Sequence, residues 1–259
     1  MTDRFVSIVR DAAIATVTVD RPAKLNALTP AMLDALEDAA RELEADLRTR
    51  VVILTGGGAK AFCVGADINE WAALAPLDMW RHWVRRGHRV FDQWARLRQP
   101  VIAAINGHAF GGGLELAITA DVRIASEAAG FALPEASIAT CPGWSGTQRL
   151  VRLIGASHAK YLALSGARVS AAEAQACGLV HEVVPHARVL ERAHRLALEM
   201  ASRAPVSLQL TKQLINAASG EETGSTLEAM AGALAASTED AAEGIRSFQE
   251  KRPPAYAGR

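Results

Sequence analysis

Apolar and polar residues follow two periodicities along this chain. The stretch AIATVTVD, residues 13–20, alternates apolar and small polar residues, a pattern typical of a half-buried strand. Short apolar, β-branched runs follow at VVILTG (51–56) and PVIAAING (100–107), and a glycine ends each of them. Between the first two runs, Thr29 precedes a proline and leucines recur at helical spacing to about Arg48, which predicts a capped amphipathic helix.

The order of strand, glycine loop and helix occurs at least twice. After residue 56, AFCVGADINEW is expected to be a loop entering a helix, and after residue 107 a second glycine loop leads into GLELAITA. Such repeated units favour an α/β architecture of stacked similar units. From about residue 148 the pattern is mainly helical, and we predict a core over residues 1–195 followed by a helical oligomerisation region over residues 196–259.

The segment between the two units, residues 71–99, contains four of the five tryptophans among many arginines. One interpretation is an amphipathic helix whose aromatic side chains point inward while the arginines are solvated. The other is a wall of a substrate pocket with some attraction for phosphates. The pattern by itself is compatible with both.

Charge and cysteine content narrow the possible partners. The chain has 28 basic and 28 acidic residues, so no global field would attract nucleic acid or an anionic membrane. No window approaches the ~18 uninterrupted apolar residues of a membrane span, and the first residues lack the apolar core of a signal peptide. Cys63, Cys141 and Cys177 have no metal-ligand spacing and are typical of thiols in a reducing compartment. We expect a cytoplasmic protein without a metal site.

The two glycine loops do not fit the common phosphate-binding motifs. TGGGAK has Ala61 where a P-loop carries serine or threonine, and GGGLEL is not a GxGxxG fingerprint. A loop that opens a helix leaves its first N–H groups without acceptors, at the positive end of the helix dipole. Two such loops that face each other can bind one oxygen as it becomes negative, which is an oxyanion hole. Taken alone, each loop is equally compatible with glycines that only permit close packing.

Several motifs resemble one known family. RPAKLNAL, AFCVGADI, INGHAFGGGLELA, PGWSGTQRLVRLIG, SAAEAQACGLVHEVV and FQEKRPPAY occur in the order and spacing of the enoyl-CoA hydratase/isomerase (crotonase) family, over essentially the whole chain. The resemblance implies a spiral of repeated β-β-α units, with C-terminal helices that build a homotrimer or a dimer of trimers. It also implies an acyl-CoA thioester substrate and no separate cofactor, because coenzyme A is part of the substrate.

The resemblance assigns roles to individual residues. The two oxyanion-hole donors of the family fall on the N–H groups of Ala66 and Gly112, and Gly143 matches a backbone donor that helps to place water. Asp67 also resembles the acid that fixes the first loop. The positions that line the CoA groove in the family fall on Lys24, Leu25, Val64, Asp67, Ile68 and, from the tail of a neighbouring chain, Lys251.

Glu115 and Glu135 occupy the positions of the paired glutamates of the family's hydratases. Water addition to a 2-enoyl thioester needs water activated for attack at C3 and a proton delivered to C2, and two carboxyl groups with different pKa values can share this work. By resemblance, Glu115 acts on the water and Glu135 on C2. We therefore expect an enoyl-CoA hydratase. The alternatives are an enoyl-CoA isomerase or another lyase or hydrolase of the family, or a non-catalytic acyl-CoA-binding protein, which would need neither glutamate.

The chain departs from the usual family pattern at two places. PGWSGTQRL replaces PGAGGTQRL, so that Trp144 and Ser145 stand where small residues are usual, and Val64 is bulkier than the common alanine or serine. We expect Trp144 to shape the acyl pocket, although its ring would also fit an interface. His108, beside the second glycine loop, is expected to serve packing rather than catalysis.

Overall fold

The computed structural model describes residues 5–259, which form a mixed α/β fold built on two sheets. The larger sheet contains, in spatial order, β1 (Val6–Asp11), β2 (Ile14–Val19), β3 (Val51–Gly56), β5 (Val101–Ile105), β7 (Val122–Ser126) and β10 (Glu182–Val184). The smaller sheet contains β4 (Ala61–Cys63), β6 (His108–Phe110), β8 (Gly130–Ala132) and β9 (Val169–Ser170). Only the terminal pairs β1–β2 and β8–β9 are antiparallel.

Helices connect and cover these strands. They are α1 (Pro30–Ala45), α2 (Ile68–Trp71), α3 (Pro76–Asp78), α4 (Arg85–Arg96), α5 (Gly112–Ala117), α6 (Gly146–Ser165), α7 (Ala171–Ala176), α8 (Val189–Ala201), α9 (Pro205–Ala218), α10 (Thr223–Ala236) and α11 (Glu239–Glu250). A π-helical segment, Met79–Val84, joins α3 to α4. The predicted cap of α1 is confirmed, because the Thr29 hydroxyl accepts the Met32 N–H at 3.2 Å.

The chain passes from the larger to the smaller sheet three times, at β3–β4, β5–β6 and β7–β8. Each passage is followed by helical structure, so the predicted repeat of β-β-α units is confirmed. The crossings are tight: a β-carbon on Gly56 would lie 2.4 Å from the Phe62 carbonyl oxygen. The prediction of a loop at AFCVGADINEW was wrong for its first residues, since Ala61–Cys63 form a strand of only three residues, too short to show alternation.

Both faces of the larger sheet are buried, as expected for parallel strands. Successive residues of a strand point to opposite faces. Ile53 and Ile102 therefore pack with Ala193 of α8, whereas Leu54 and Ala103 belong to the main core. This double burial explains why β3 and β5 are continuous apolar runs in the sequence.

The described chain divides into two compact units between Gln209 and Leu210. The second unit contains α10 and α11, and the Thr238 hydroxyl caps α11. Large apolar side chains are exposed on it: Leu214, Ile215, Leu227, Leu234, Ile245 and Phe248. The domain limits set at residue 195 and the oligomerising role of the C-terminal helices stay predictions. No helix within residues 5–259 has the length and apolar character that crossing a bilayer requires.

Candidate active site

The two glycine loops come into direct contact. Gly65 has a φ of 97°, and a β-carbon on it would lie 3.0 Å from the backbone nitrogen of Gly112. Such a φ strongly favours glycine. The sequence places glycine here because the second loop leaves no room for a side chain.

Ala66 and Gly112 both border one cavity. Leu28 forms a parallel bridge with Ala66, in which the Leu28 N–H donates to the Gly65 carbonyl and the Asp67 N–H donates to the Leu28 carbonyl, both at 2.8 Å. The Ala66 N–H therefore points away from Leu28. Gly112 is the first residue of α5, so its N–H has no acceptor within the helix. These are the two amides that the sequence assigns to an oxyanion hole.

Asp67 holds the first glycine loop in place through contacts outside the cavity. Its carboxylate caps α2 by accepting the Asn69 N–H at 3.1 Å and pairs with the Arg21 guanidinium at 2.7 Å. The Arg21 guanidinium and the Asn69 donors hold the pKa of Asp67 below its usual range. Asp67 does not border the cavity. These contacts hold the first loop, and the role that the resemblance implies for Asp67 stays a prediction.

Glu115 lies buried in the first turn of α5, only 2% exposed. Its Oε1 accepts the N–H of Trp144 at 2.8 Å and that of Gly146 at 2.7 Å. Burial raises the pKa of Glu115 to about 7, and the charge of Glu135 acts in the same direction. The N–H groups of Gly146, Trp144 and Gly143 oppose this rise, because they stabilise the ionised form. At neutral pH both protonation states of this carboxyl group are therefore accessible.

Glu135 begins a short 3₁₀ turn, Glu135–Ile138, after Pro134. Its Oε2 is buried and has no hydrogen-bond partner within residues 5–259. Burial raises the pKa of Glu135 above its usual range. A β-carbon on Gly111 would lie 3.0 Å from Glu135 Oε1, so this carboxyl group lies against the second glycine loop. It is held less tightly than Glu115 and has an oxygen available for a ligand.

The cavity between these groups has a volume of about 210 Å³. Both glutamates border it, as do Gly143 and the amide-bearing loops. Its remaining walls are mainly apolar: Val64, Ile68, Trp71, Met79, Trp83, Val84, Ile138 and Trp144. An apolar cavity with a few convergent polar groups is the usual form of a small-molecule site.

Trp144 lies in the wall of this cavity and is only 3% exposed. Its ring packs at 5.5 Å from the ring of Trp83 and at 5.1 Å from that of Phe91. A β-carbon on Gly112 would lie 2.8 Å from the same ring. Trp144 therefore separates α4 from the second glycine loop and closes one side of the cavity.

The remaining predicted site residues lie in different places. Val64 and Ile68 border the cavity, and the Val64 N–H donates to the Leu25 carbonyl at 3.2 Å. Lys24 precedes Leu25 in a short 3₁₀ turn. Lys251 ends α11 in the second unit with a φ of 55°. Lys24, Leu25 and Lys251 are not among the residues that border the cavity.

The segment over residues 71–99 combines both interpretations of its sequence. Trp94 is buried and its indole N–H donates to the Leu36 carbonyl at 3.0 Å, whereas Trp80 is exposed. Trp71 and Trp83 border the cavity. The aromatic wall was predicted only as a possibility, because helical spacing does not say which inward residue meets a cavity. The attraction of this segment for phosphates stays a prediction.

The other chemically reactive groups near the loops have structural contacts. His108 Nδ1 accepts the Gly130 N–H at 3.1 Å, and its ring stacks on Phe110. Cys63 is buried, which raises the pKa of its thiol to about 12. Within residues 5–259 no group of three or more histidine, cysteine or acidic side chains is arranged to bind a metal ion. Cys141, to which the sequence assigned no role, borders the cavity.

Comparison with known proteins identifies the class of protein to which this chain belongs. The family profile described as enoyl-CoA hydratase/isomerase matches residues 9–259. The chain is 39% identical to the short-chain-enoyl-CoA hydratase of Clostridium acetobutylicum, over 95% of each chain. It is also 39% identical to the 2,3-dehydroadipyl-CoA hydratase of Escherichia coli, over 96% of this chain and 97% of the relative.

A solved structure gives the same result for the fold. The enoyl-CoA hydratase from Bacillus anthracis superposes with a TM-score of 0.82 and 39% identity, over 98% of this chain and 100% of that one. The chain belongs to the enoyl-CoA hydratase/isomerase family, and the crotonase fold expected from its motifs is confirmed.

Proposed function

We propose that the protein is an enoyl-CoA hydratase, which adds water reversibly across the 2,3 double bond of a 2-enoyl-CoA thioester. The observation that carries this proposal is the pair of carboxyl groups in one cavity. Glu115 is held by backbone amides, and Glu135 has a buried oxygen without a partner in the described chain. Membership of the family and the names of its relatives support the same activity.

In the proposed mechanism, different groups of the protein act on the thioester oxygen, on the water and on C2. The N–H groups of Ala66 and Gly112 bind the thioester oxygen and stabilise the negative charge that develops on it when water attacks C3. Glu115 orients the water and takes its proton, while the Gly143 amide, which lowers the pKa of Glu115, helps to hold that carboxylate. Glu135 delivers a proton to C2, which completes the net addition of one water molecule. Proton exchange with solvent then removes the proton from Glu115 and returns one to Glu135.

The binding of coenzyme A and the assembly are further parts of the proposal. The CoA portion would lie along Lys24, Leu25, Val64, Asp67 and Ile68, with Lys251 from a neighbouring chain near its phosphates. We also propose a homotrimer or dimer of trimers and a cytoplasmic location. The exposed apolar side chains of the C-terminal helices support their burial against another chain. Because two carboxyl groups move both protons, the proposed reaction uses no metal or redox cofactor.

A panel of thioesters tests this function. The protein is incubated with crotonyl-CoA and with a 3-enoyl-CoA, and products are followed by the absorbance of the conjugated thioester and by mass. A hydratase consumes crotonyl-CoA and gives a product heavier by one water. Conversion of the 3-enoyl to the 2-enoyl thioester without water addition would instead identify an isomerase, for which the free oxygen of Glu135 could suffice.

The pH dependence of hydration is expected to reflect Glu115. Its pKa of about 7 means that the base is increasingly protonated below neutral pH. We expect kcat/KM for crotonyl-CoA to rise with pH up to about 7 and then to level off, as Glu115 loses its proton. Initial rates from pH 5 to pH 9 measure this profile. An acidic limb at the ordinary glutamate value of about 4.3 would contradict the assignment.

Trp144→Ala is expected to change substrate preference more than maximal rate. Removing the ring opens the cavity toward α4, so longer or branched 2-enoyl thioesters should gain roughly tenfold in kcat/KM relative to crotonyl-CoA. Trp80→Ala, on the exposed side of the same segment, is the matched control. An unchanged ratio in Trp144→Ala would reject a role of this ring in the acyl pocket.

A further inference from the structure

Ser145 adopts a backbone conformation that is unusual for its residue type. Its φ is 79°, in the left-handed region that favours glycine, and only 4% of the residue is exposed. It lies between Trp144 and Gly146, the two residues whose N–H groups donate to Glu115 Oε1. A change in the backbone torsions of Ser145 therefore changes the direction of one donor relative to the other.

The side chain of Ser145 contacts residues of α4. Its hydroxyl donates to Asp92 Oδ1 at 3.3 Å and lies 3.2 Å from His88 Nε2. Asp92 is itself held by Arg149 at 2.7 Å, and the Arg149 N–H donates to the Ser145 carbonyl at 3.1 Å. Ser145, His88, Asp92 and Arg149 form a closed set of contacts, which we name the Ser145 network.

We propose that Ser145 is a positioning residue for Glu115, whose hydroxyl, tethered to His88 and Asp92, keeps the amides of the 143–146 loop directed at that carboxylate. The inference rests on the proposed function only for its effect on turnover. Its structural content is the link from α4 through the loop to Glu115, which hydrogen bonds of the protein itself form.

The physical reason is the cost of holding a non-glycine residue in the left-handed region. A serine there has no intrinsic preference for the observed φ, so its neighbours must hold it. The hydroxyl contacts with α4 supply that restraint. When they are removed, the loop relaxes, the amides turn away, and the ionised form of Glu115 loses stabilisation.

Few other charged or titratable groups face Glu115. Glu135 and Cys141 border the same cavity, the buried thiol of Cys63 lies on β4 behind α5, and His88, Asp92 and Arg149 lie beyond the loop. Glu135 and Cys141 do not contact Ser145 through any hydrogen bond of the described chain. A change in the titration of Glu115 on removal of the Ser145 hydroxyl therefore reports on the loop amides.

Ser145→Ala tests the inference without altering the backbone preference, because alanine and serine are similarly disfavoured at this φ. The direct readout is the carboxyl titration of Glu115 in the substrate-free protein, by carbon-13 NMR of glutamate-labelled material. The Glu115 signal is assigned by its loss in Glu115→Gln. We expect its pKa to rise by roughly half to one unit, since the loss of a hydrogen bond changes a protonation equilibrium by about three- to tenfold.

Kinetics give the second readout. In Ser145→Ala the acidic limb of the kcat/KM profile should move upward by the same amount, so that kcat/KM near pH 6 falls roughly three- to tenfold while KM changes less than about twofold. Ser165→Ala, at the other end of α6, removes an exposed hydroxyl that contacts only backbone and should leave both readouts unchanged.

Ser145→Gly is a second variant that tests the inference if Ser145→Ala does not fold. Glycine populates positive and negative φ about equally, so without the tether nothing holds this residue at the observed φ either, and the pKa of Glu115 should again rise. A wild-type carboxyl pKa in either folded variant, or a loss confined to KM, would overturn the inference. If the wild type fails to hydrate crotonyl-CoA, the proposed function fails while the NMR titration still decides the role of Ser145.

Discussion

Glu115→Gln and Glu135→Gln are each expected to lower kcat for crotonyl-CoA hydration by about 10²–10⁴. Glutamine keeps the size of the side chain but neither takes up nor delivers a proton at neutral pH. The two amides of the proposed oxyanion hole remain, so the Kd of a CoA thioester should change by no more than a few fold. Reactions quenched at set times and analysed by mass spectrometry measure turnover. Isothermal titration calorimetry with a non-reactive acyl-CoA measures binding.

A matched control and the double variant sharpen this experiment. Glu127→Gln removes an exposed carboxyl group outside the cavity and should leave turnover unchanged. Residues that act as a unit give non-additive losses, so the double variant should be close to the slower single variant. Turnover within about tenfold of wild type in both single variants would reject the proposed acid/base pair.

Gly65→Ala is expected to lower turnover strongly although it leaves both glutamates in place. The new β-carbon would meet the Gly112 nitrogen at 3.0 Å, and the φ of 97° disfavours any side chain. Relief of this contact moves the two loops apart, so the two amides no longer match one oxygen. Because the loss of one oxyanion-hole donor typically costs about 10²–10³ in rate, we expect a fall of that size in kcat.

Gly178→Ala separates this effect from ordinary backbone strain. Gly178 also has a left-handed φ, of 82°, but a β-carbon there would meet only the Leu153 carbonyl at 3.9 Å. The variant should lose about 1 kcal/mol of unfolding free energy and keep its turnover. Circular dichroism during heating and the crotonyl-CoA assay give both quantities. Equal losses of turnover in the two variants would attribute the Gly65 result to strain alone.

Local patterns in the sequence were sufficient to predict the larger secondary-structure elements. The alternation in residues 13–20 and the apolar runs at 51–56 and 100–107 mark β2, β3 and β5, because buried strands need such residues. Ser170 and Glu173 form a capping box at α7, which their spacing also indicates. The smaller sheet was harder to predict, since each strand has two or three residues and depends on pairing with distant segments.

The residues of the candidate site also fall into those that the sequence predicts and those that it does not. Glu115, Glu135, Ala66 and Gly112 follow from the glycine loops and the family motifs. The partners of Glu115 do not, because the amides of Trp144 and Gly146 reach it only when the 143–146 loop folds over α5. The identity of the cavity wall depends likewise on which residues of the π-helical segment turn inward.

Gly87 of α4 leaves the space that the ring of Trp144 occupies. A β-carbon on Gly87 would lie 2.1 Å from Trp144 Nε1, so position 87 has no room for any side chain while position 144 is tryptophan. A mutational path that enlarges residue 87 therefore has to pass first through a smaller residue at 144. The residue at position 144 therefore limits which residues position 87 can carry, and the reverse also holds. A redesign of the cavity must substitute both positions together.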